Sequence, residues 1–430
     1  GTAITDNAFD EVFNAKLEEL QTLFKRLCEL DNFHVAFYML KNCFAIPKVV
    51  FLLRTTQTWN HMDMVDKIDN MIKSTLESIT NSHLDDNTWT LASLPVNAGG
   101  IGVRKVRDIA LPAFLSSVNA VFPLVSIMLN LPTLNIEEIS EYDDSLKAWK
   151  IAHPDFELPE APTKQNHWNA IAVKKLVSKL NLDSDEDKAR YLSIQRPEAG
   201  AWLHALPSRS LGTLLENNSF RIIMGLRLGL NICSPHQCKC ESPVDEKGHH
   251  GLKCKLCLGR RPRHSELNSV IKQSCVLSDV PALLEPPGLS RDDGKRVDGM
   301  TLIPWSKGRT LIWDATCTDT LAPSNLTFST RSAGGAAEDK ARRKTKKYKS
   351  LIDQNYLFVP FAVETMGAWC QDAISFINDL SKRITIKTQE PRSRSFLVQR
   401  LSLAIQRGNA AAVMGTFKDS DKLTELFYIL

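Results

Sequence analysis

The sequence predicts a mixed α+β protein with several regions: a mainly α-helical N-terminal half, a compact Cys/His knuckle and a small α/β region after it. Three observations support this prediction. Apolar residues recur at helical spacing through most of residues 8–232, five of the ten cysteines crowd into residues 233–257, and four short apolar runs follow residue 280. With 430 residues, 43% hydrophobic and 24% charged, the chain has an ordinary globular composition and room for more than one domain.

The net charge of +4 is too small to decide whether the partner is a polyanion, so local clusters of charge must decide it. The sequence contains no run of 18 uncharged apolar residues, and its start lacks the basic-then-apolar pattern of a signal peptide. We therefore expect an intracellular protein without a membrane partner. Because the first residue is Gly1, we also expect an excised piece of a longer chain.

The N-terminal half is predicted to be helical because its apolar residues fall on single stripes. In the first helix, over 8–30, Phe13, Leu17, Leu20, Phe24 and Leu27 recur at spacings of three and four. Pro47 should end the second helix near Ile46. The glycines of residues 99–102 indicate a structural loop, and the acidic, proline-containing stretch 132–170 indicates a connector. Further helices are predicted at 62–79, 108–131 and within 168–232.

The C-terminal half shows a different pattern, in which short apolar runs alternate with Pro, Gly and charged turns. These runs predict strands, and the segments between and after them predict amphipathic helices. The resulting order is α-β-β-β-α-β, a small α/β unit. Strands are predicted within 280–289, 295–305, 308–317 and 356–367, and helices at 263–277, 333–354, 369–382 and 396–406.

The cysteine cluster has the spacing of a zinc site, Cys238-x-Cys240-x8-His249-x4-Cys254. Zinc takes four sulfur or nitrogen ligands at tetrahedral corners, and two cysteines one residue apart can supply two of them from a sharp turn. A site with four protein ligands is closed, and therefore structural. His250 could replace His249. Other nearby residues remain reserve ligands: Cys233, His236 and Cys257.

Asp298 and Asp314 fall on adjacent predicted strands and could share a divalent cation. Mg²⁺ prefers oxygen ligands and completes its shell with water and substrate phosphate, which suits phosphodiester hydrolysis. Thr316 stands at the usual third position, so Lys344 or Lys347 of the following helix would have to supply the positive charge. From spacing alone, turn or capping carboxylates are the simpler interpretation of the two aspartates.

Several sequence blocks resemble the C-terminal region of non-LTR retrotransposon polyproteins, which has a CCHC zinc knuckle and a restriction-like endonuclease of the PD-(D/E)xK class. This resemblance covers about residues 210–415, and its blocks are CKC…GHHGLKC, RHSELNSVI, LLEPPGLSRDDGKRVDGMTLIPW, LIWDATCTDTLA, KTKKY, PFAVETMGAW and LVQRLSLAIQRGNAAAV. HVAFYMLKNCFAIPKVVFLLRT and SLPVNAGGIGVRKVRDIALPAFL resemble the thumb and linker of the reverse transcriptase of the same elements.

The resemblance implies a domain order. It comprises a thumb-like helical region (1–131), a helical linker (132–232), the knuckle (233–262), the restriction-like endonuclease (263–390) and a C-terminal helical extension (391–430).

The resemblance also implies site residues. Asp298 matches the first metal-binding aspartate, with Val297 in place of the motif proline, and Asp314 matches the second acid. Lys347, which precedes Tyr348, matches the catalytic lysine, and Lys344 competes with it. On flanking elements, Glu285 and Glu364 could join the metal shell and His264 could orient the site, although ordinary structural roles are the simpler expectation for all three.

By resemblance, the protein would use Mg²⁺ or Mn²⁺ to nick target DNA, so that the new 3′ hydroxyl primes reverse transcription, with Zn²⁺ in the knuckle. Its partners would be target DNA, element RNA and the polymerase part of the same polyprotein, and it would act in the nucleus. Basic residues near the site are expected to contact phosphates with little sequence information. They are Arg296, Lys340, Arg342, Arg343 and Lys346.

A reverse transcriptase needs an aromatic-x-Asp-Asp turn, and the sequence lacks one: Asp85-Asp86 and Asp292-Asp293 stand in other contexts. We therefore do not expect the chain to polymerise DNA by itself. The alternatives to an endonuclease are an inactive nucleic-acid-binding remnant, which keeps the knuckle and the basic helix, and a purely structural helical scaffold. The presence of Asp298, Asp314 and Lys347 favours the enzyme over both.

Overall fold

The computed structural model describes residues 6–131, 133–256, 259–289 and 296–417. These residues form helices and two small sheets, which confirms the coarse prediction of a mixed α+β protein. The chain divides into two compact units, Gly1–Asn181 and Leu182–Leu430. The division falls inside the stretch predicted as a helical linker.

The first unit is helical over the part of it that the structure describes. Its helices are α1 (Asp6–Cys28), α2 (Phe33–Met39), α3 (Ile46–Thr55), α4 (Met62–Thr80), α5 (Asp86–Ser93), α6 (Val106–Met128), α7 (Ser140–Ala152) and α8 (Gln165–Ser178).

The predicted helices of the first unit begin and end close to their expected bounds. Pro47 lies in the first turn of α3, where a missing backbone donor costs nothing, and a π-turn at Leu40–Phe44 links α2 to α3. Asp69 of α4 is buried, and its carboxylate accepts hydrogen bonds from the backbone N–H groups of Val106 (2.6 Å) and Arg107 (3.1 Å). These bonds satisfy donors that α6 leaves free at its start.

Residues 132–170 are not the plain connector that their acidic and proline-rich composition suggested, because they contain α7. Tyr142, Leu146 and Trp149 recur at spacings of four and three and are buried. They pack in one cluster with Leu115 of α6 and Trp168 of α8. For residues 140–152, the helical spacing of the apolar residues therefore predicts the structure better than the acidic composition does.

Two helical stretches, Phe33–Thr55 and Val106–Met128, are long and apolar enough to cross a membrane by length and composition alone. Core helices of globular proteins pass the same test, and both stretches contribute buried side chains to the first unit, among them Phe37, Leu53 and Ala113. The second stretch also contains two prolines, Pro112 and Pro123.

The second unit contains the helices α9 (Asp185–Ile194), α10 (Asn217–Leu228), α11 (His250–Lys253), α12 (Arg260–Leu277), α13 (Pro323–Ser329), α14 (Gly335–Lys347), α15 (Lys349–Asp353), α16 (Gln371–Thr388) and α17 (Ser393–Met414). Its strands are β1 (His236–Gln237), β2 (Pro243–Val244), β3 (Ala282–Leu284), β4 (Gly299–Thr301), β5 (Leu311–Thr318) and β6 (Leu357–Glu364). The predicted order α-β-β-β-α-β is present as α12, β3, β4, β5, α14 and β6, and α13 and α15 add to it.

The larger sheet has the order β3-β4-β5-β6, with the first two pairs antiparallel and β5 parallel to β6. Successive residues of β5 point to opposite faces. Trp313 therefore packs in the main core with residues of α12 and α16, whereas Ile312 packs with Val297 and Tyr348. Gly299 pairs with Trp313, and a Cβ atom there would lie 2.0 Å from the indole ring, so only glycine fits this close approach.

Helix α17 is a core element of the second unit and contacts α10, α11, α12 and α16. A Cβ atom at Gly251 of α11 would lie 2.8 Å from the carbonyl oxygen of Ala412, so α11 lies directly on α17. Helix α17 also contacts α12 through a polar pair. Arg263 of α12 donates to the side-chain oxygen of Asn409 of α17 at 2.6 Å, and both residues are buried. The Cys/His knuckle is therefore packed against the same helix as the α/β region.

Candidate functional site

The first cluster of functional side chains is the knuckle. Strands β1 and β2 pair antiparallel, and Cys238 and Cys240 lie in the tight turn between them. The backbone N–H of Cys238 donates to Ser242 at 2.9 Å, and Glu241 takes the left-handed conformation with φ 66°. Cys254 follows α11. The turn and the short helix bring the ligand atoms of four residues within 4.8 Å of one another: Cys238, Cys240, His250 and Cys254.

These four atoms suit a tetrahedral metal ion. With a Zn–S bond of about 2.3 Å, two sulfurs of a tetrahedral site stand about 3.8 Å apart, and the sulfurs of Cys238 and Cys254 are 3.7 Å apart. This separation is far longer than a disulfide bond. Cys240 Sγ lies 3.2 Å from His250 Nε2. The cluster could therefore hold a metal such as zinc.

The histidine of the cluster differs from the predicted ligand His249. His250 begins α11, and Cys254, four residues later, is the C-cap residue that ends it, so this short helix separates two ligands of the cluster. His249 precedes the helix and lies outside the cluster, and burial lowers its pKa to about 4. The alternative ligand His250 is thus the one that the fold brings together with the three cysteines.

Two of the reserve ligands have other contacts. The Cys233 thiol is buried and points to the carbonyl oxygen of Asp245 at 3.3 Å, and burial raises its pKa to about 12. His236 contacts the Thr416 hydroxyl at 2.8 Å and stacks on Phe417. Cys257 lies outside the described residues.

The thiols of the knuckle differ in their surroundings. Burial raises the pKa of Cys238 to about 11, whereas hydrogen bonds from Ser242 lower that of Cys240 to about 6. A metal ion would stabilise both as thiolates, because metal ligation requires the deprotonated sulfur.

The second cluster surrounds Asp298, the residue before β4. One of its carboxylate oxygens accepts the backbone N–H of Ala315 at 2.6 Å and lies 2.9 Å from His264 Nε2 of α12. Only 17% of the Asp298 side chain is exposed. The predicted second acid, Asp314, lies on the neighbouring strand β5 and is also buried.

Lys344 of α14 is the lysine that reaches this cluster. Its ammonium group forms an ion pair with the Asp314 carboxylate and lies 3.5 Å from the carbonyl oxygen of Ala315. The predicted catalytic lysine, Lys347, instead lies over the ring of Tyr348, with its Nζ 5.0 Å from the ring centroid.

The pKa values of the two carboxylic acids are shifted in opposite directions. Burial raises the pKa of Asp298, but the hydrogen bond and the charge of His264 outweigh burial, so the net pKa is lowered. Burial and the nearby Asp298 charge raise the pKa of Asp314, although Lys344 opposes the shift. In turn, Asp298 raises the pKa of His264. Two acids with unequal pKa values and one lysine thus share the site.

The two flanking glutamates, Glu364 and Glu285, make backbone hydrogen bonds next to the site. Glu364, at the end of β6, is fully buried and accepts the backbone N–H groups of Ala336 (3.0 Å) and Ala337 (3.3 Å). It therefore caps the start of α14, the helix that carries Lys344. Glu285 is exposed and has a left-handed backbone, and its N–H donates to the carbonyl oxygen of Asp298.

Sequence reasoning missed Asn268 as a member of the site. Its amide accepts the indole N–H of Trp313 at 2.9 Å and lies 3.4 Å from His264. The chain Trp313–Asn268–His264–Asp298 thus connects the sheet core to the first aspartate. The signal in the sequence is the spacing of four between His264 and Asn268, which places them on one helical face.

Four of the basic residues predicted to bind nucleic acid lie on α14, the helix that carries Lys344, and the fifth, Arg296, stands two residues before Asp298. Arg296 is exposed beside Asp298, and Arg342, Arg343 and Lys346 are exposed on α14, with Lys340 half-buried. Arg342 and Arg343 both pair with Asp339, at 3.7 and 2.7 Å. The two arginine side chains are mostly exposed, whereas only 13% of the Asp339 side chain is exposed.

Comparison with known proteins relates the chain to retrotransposons. It is similar to the retrotransposable element SLACS 132 kDa protein of Trypanosoma brucei gambiense, with 26% identity over 95 residues. The matched stretch is 22% of this chain and 8% of that protein. No protein-family model matches the chain.

Proposed function

We propose that the chain is the metal-dependent DNA endonuclease portion of a retroelement protein, which nicks target DNA so that the free 3′ hydroxyl primes reverse transcription. The observation that carries the proposal is the meeting of three charged side chains from separate elements: Asp298 before β4, Asp314 on β5 and Lys344 on α14. The similarity to a retrotransposon protein supports the retroelement context.

Asp298 and Asp314 would hold the divalent cation, because two partly desolvated carboxylates are the oxygen donors that Mg²⁺ and Mn²⁺ take. When bound, such an ion polarises a phosphoryl oxygen and lowers the pKa of bound water, which makes water a nucleophile near neutral pH. The Ala315 N–H and His264 fix the orientation of the first carboxylate.

In this proposal Lys344, rather than Lys347, supplies the positive charge beside the scissile phosphate. Its ammonium group already lies among the carboxylates, and the cap that Glu364 places on α14 fixes the helix that carries it. A fixed positive charge is worth most where charge develops during the reaction and water is excluded. The exposed cations of α14 would bind the DNA backbone, and the knuckle would be a closed, structural zinc site.

The experiment is a nicking assay with supercoiled plasmid and Mg²⁺ or Mn²⁺, comparing the wild type with Asp298→Asn and Asp314→Asn. We expect the wild type to produce open circles and each variant to lose at least about a hundredfold in rate. Asp319→Asn serves as the control, because Asp319 lies just beyond β5 and bonds to the Thr365 hydroxyl instead. Nicking that persists in both site variants would refute the proposal. Salt-sensitive DNA binding without nicking by the wild type would favour the inactive remnant instead.

A further inference from the structure

The first unit contains a cavity of about 400 Å³ that the endonuclease proposal does not use. It lies among α4, α6, α7 and α8 and the turn before α4. Its volume is within the range of about 300–1,000 Å³ that small-molecule sites have. Apolar side chains form much of its wall, including Leu111, Pro112 and Leu176.

Two polar atoms of the residues lining the cavity are buried without a hydrogen-bond partner among the described residues: Asp108 Oδ2 and Trp149 Nε1. Asp108 stands in the first turn of α6, where a carboxylate usually caps the helix. Here Asp69 already accepts the N–H groups of Val106 and Arg107, so capping does not account for Asp108. Unmade hydrogen bonds of buried groups are costly and call for a partner.

The indole of Trp149 is held rigidly. It stacks on His153 with ring centroids 3.8 Å apart and meets Trp168 edge to face at 5.0 Å. Trp149 itself is 1% exposed. Its N–H donor therefore has a fixed position, as a recognition group should. A second indole, that of Trp59, also lines the cavity and is half-buried.

Three cations line the same cavity: Arg107, Lys175 and Lys179. Arg107 forms a bidentate ion pair with Asp66, and the ammonium group of Lys175 donates to the carbonyl oxygen of Ala152, the last residue of α7. The hydrogen-bond partner given for Lys175 is thus a neutral carbonyl oxygen, so its ammonium group can also donate to an anion.

These features together describe a ligand. The carboxylate oxygen can accept from a donor, the indole N–H can donate to an acceptor, the apolar walls and Trp59 suit a flat ring, and Lys175 and Lys179 can pair with an anion. A nucleobase with its phosphate has all four, and bases stack favourably on aromatic side chains. We propose that this cavity binds a single unpaired nucleotide, with the base at Asp108 and Trp149 and the phosphate at Lys175 and Lys179.

The nucleotide could be free or could be the end of a single strand, and the chemistry recognised is the same. The proposal concerns the first unit alone and does not rest on the nuclease site. A failure of the nicking assay would therefore not contradict the nucleotide proposal, and a failure to bind nucleotides would not contradict the endonuclease proposal.

The test is calorimetric titration of the full chain with four ribonucleoside 5′-monophosphates, the four nucleosides and a 5′-phosphorylated RNA tetramer. We expect nucleotides to bind at least about tenfold more tightly than nucleosides, because the phosphate adds charge-assisted bonds. Lys175→Gln should remove that advantage. Lys174→Gln is the matched control, since the neighbouring Lys174 is exposed and does not line the cavity, and it should change nothing.

Two further variants test the base contacts, with folding checked by circular dichroism. Trp149→Phe should weaken binding by about two- to tenfold through loss of one hydrogen bond. Asp108→Asn should change the order of preference among the bases, because an amide can donate as well as accept. A purely structural role would leave that order unchanged.

Tetramer binding with the same sensitivity to Lys175→Gln would identify a strand end as the source, and mononucleotide binding without tetramer binding would identify a free nucleotide. Either result supports the proposal. It is overturned if no nucleotide binds at 10 mM to the folded wild type, or if binding is unchanged in Trp149→Phe, Asp108→Asn and Lys175→Gln alike.

Discussion

The knuckle and the carboxylate cluster lie in the same unit but differ in the chemistry of the side chains that they bring together. In the knuckle, three sulfurs and one imidazole converge. In the carboxylate cluster, His264 and Lys344 already accompany Asp298 and Asp314. His264 and Lys344 thus compensate part of the carboxylate charge at the second site, whereas the first is a set of ligand atoms that could hold an ion. In the proposed endonuclease, the knuckle metal should therefore stabilise the fold, and the divalent cation should serve only the chemistry.

The largest effect should follow removal of metal from the knuckle by a chelator, or Cys254→Ser. Structural zinc sites contribute folding free energy directly, and α11 packs on the core helix α17. We expect the thermal midpoint of unfolding to fall by at least about 10 °C and zinc to be lost together. Calorimetry with elemental analysis measures both.

The contrast is sharpened by Asp314→Asn, which should retain zinc and leave the midpoint nearly unchanged. Burial raises the pKa of Asp314, so the neutral amide removes a desolvation cost that offsets the lost ion pair, and the nearby Asp298 carboxylate still compensates the charge of Lys344. If the zinc-free wild type unfolded at the same temperature as the zinc-loaded wild type, the knuckle would not be a structural metal site.

The two adjacent histidines should differ strongly in their effect on zinc binding. His250→Asn removes a ligand atom from the cluster, so we expect zinc affinity to fall by at least about a hundredfold. His249→Asn should change it by less than about threefold, since His249 lies outside the cluster. Competition with a chromophoric chelator measures both affinities. The reverse order would restore the ligand that the sequence suggested.

The two lysines of α14 provide a similar pair at the second site. Lys344→Met should lower the nicking rate by about a hundredfold, because it removes the charge beside Asp314. Lys347→Met removes a contact with the Tyr348 ring and should cost less than about fivefold. Plasmid nicking at saturating Mg²⁺ measures both. If Lys347→Met had the larger effect, the lysine matched by family resemblance would be the catalytic one.

These two pairs also show what the sequence could and could not predict. The spacing of Cys238, Cys240 and Cys254 indicated a metal site because all its ligands lie in one short segment. The choice between His249 and His250 depends on where α11 begins, a boundary that one residue of error reverses. Local patterns thus located the site but did not resolve adjacent residues.

At the carboxylate cluster, the prediction from sequence was limited because the site depends on tertiary packing. The strands and the lysine-rich helix were predicted, but Lys344 and Lys347 lie three residues apart on one helix, and only the placement of α14 on β5 and β6 distinguishes them. The role of Glu364 as the cap of α14 was also hidden, since 28 residues separate it from Ala336. Pairing across such distances has no local signal.

The smallest effect concerns that cap and its pH dependence. Burial raises the pKa of Glu364, so its contribution to stability is fully present below its unfolded pKa near 4.5 and is lost as pH rises through the higher folded pKa. Glu364→Gln keeps an acceptor for Ala336 and Ala337 and has no such loss. As the pH rises from 5 to 8, the free energy of unfolding of the wild type should therefore fall relative to that of Glu364→Gln. Urea unfolding at both pH values measures it.

Glu364→Ala is the control, because it removes the acceptor and leaves the N–H groups of Ala336 and Ala337 buried without it, at a cost of about 1–3 kcal/mol at either pH. It should also lower the nicking rate, since the start of the helix that carries Lys344 loses its anchor. If raising the pH instead favoured the wild type over Glu364→Gln, the ionised carboxylate would be stabilising α14 through the helix dipole. The second site would then depend on a buried negative charge outside its own carboxylates.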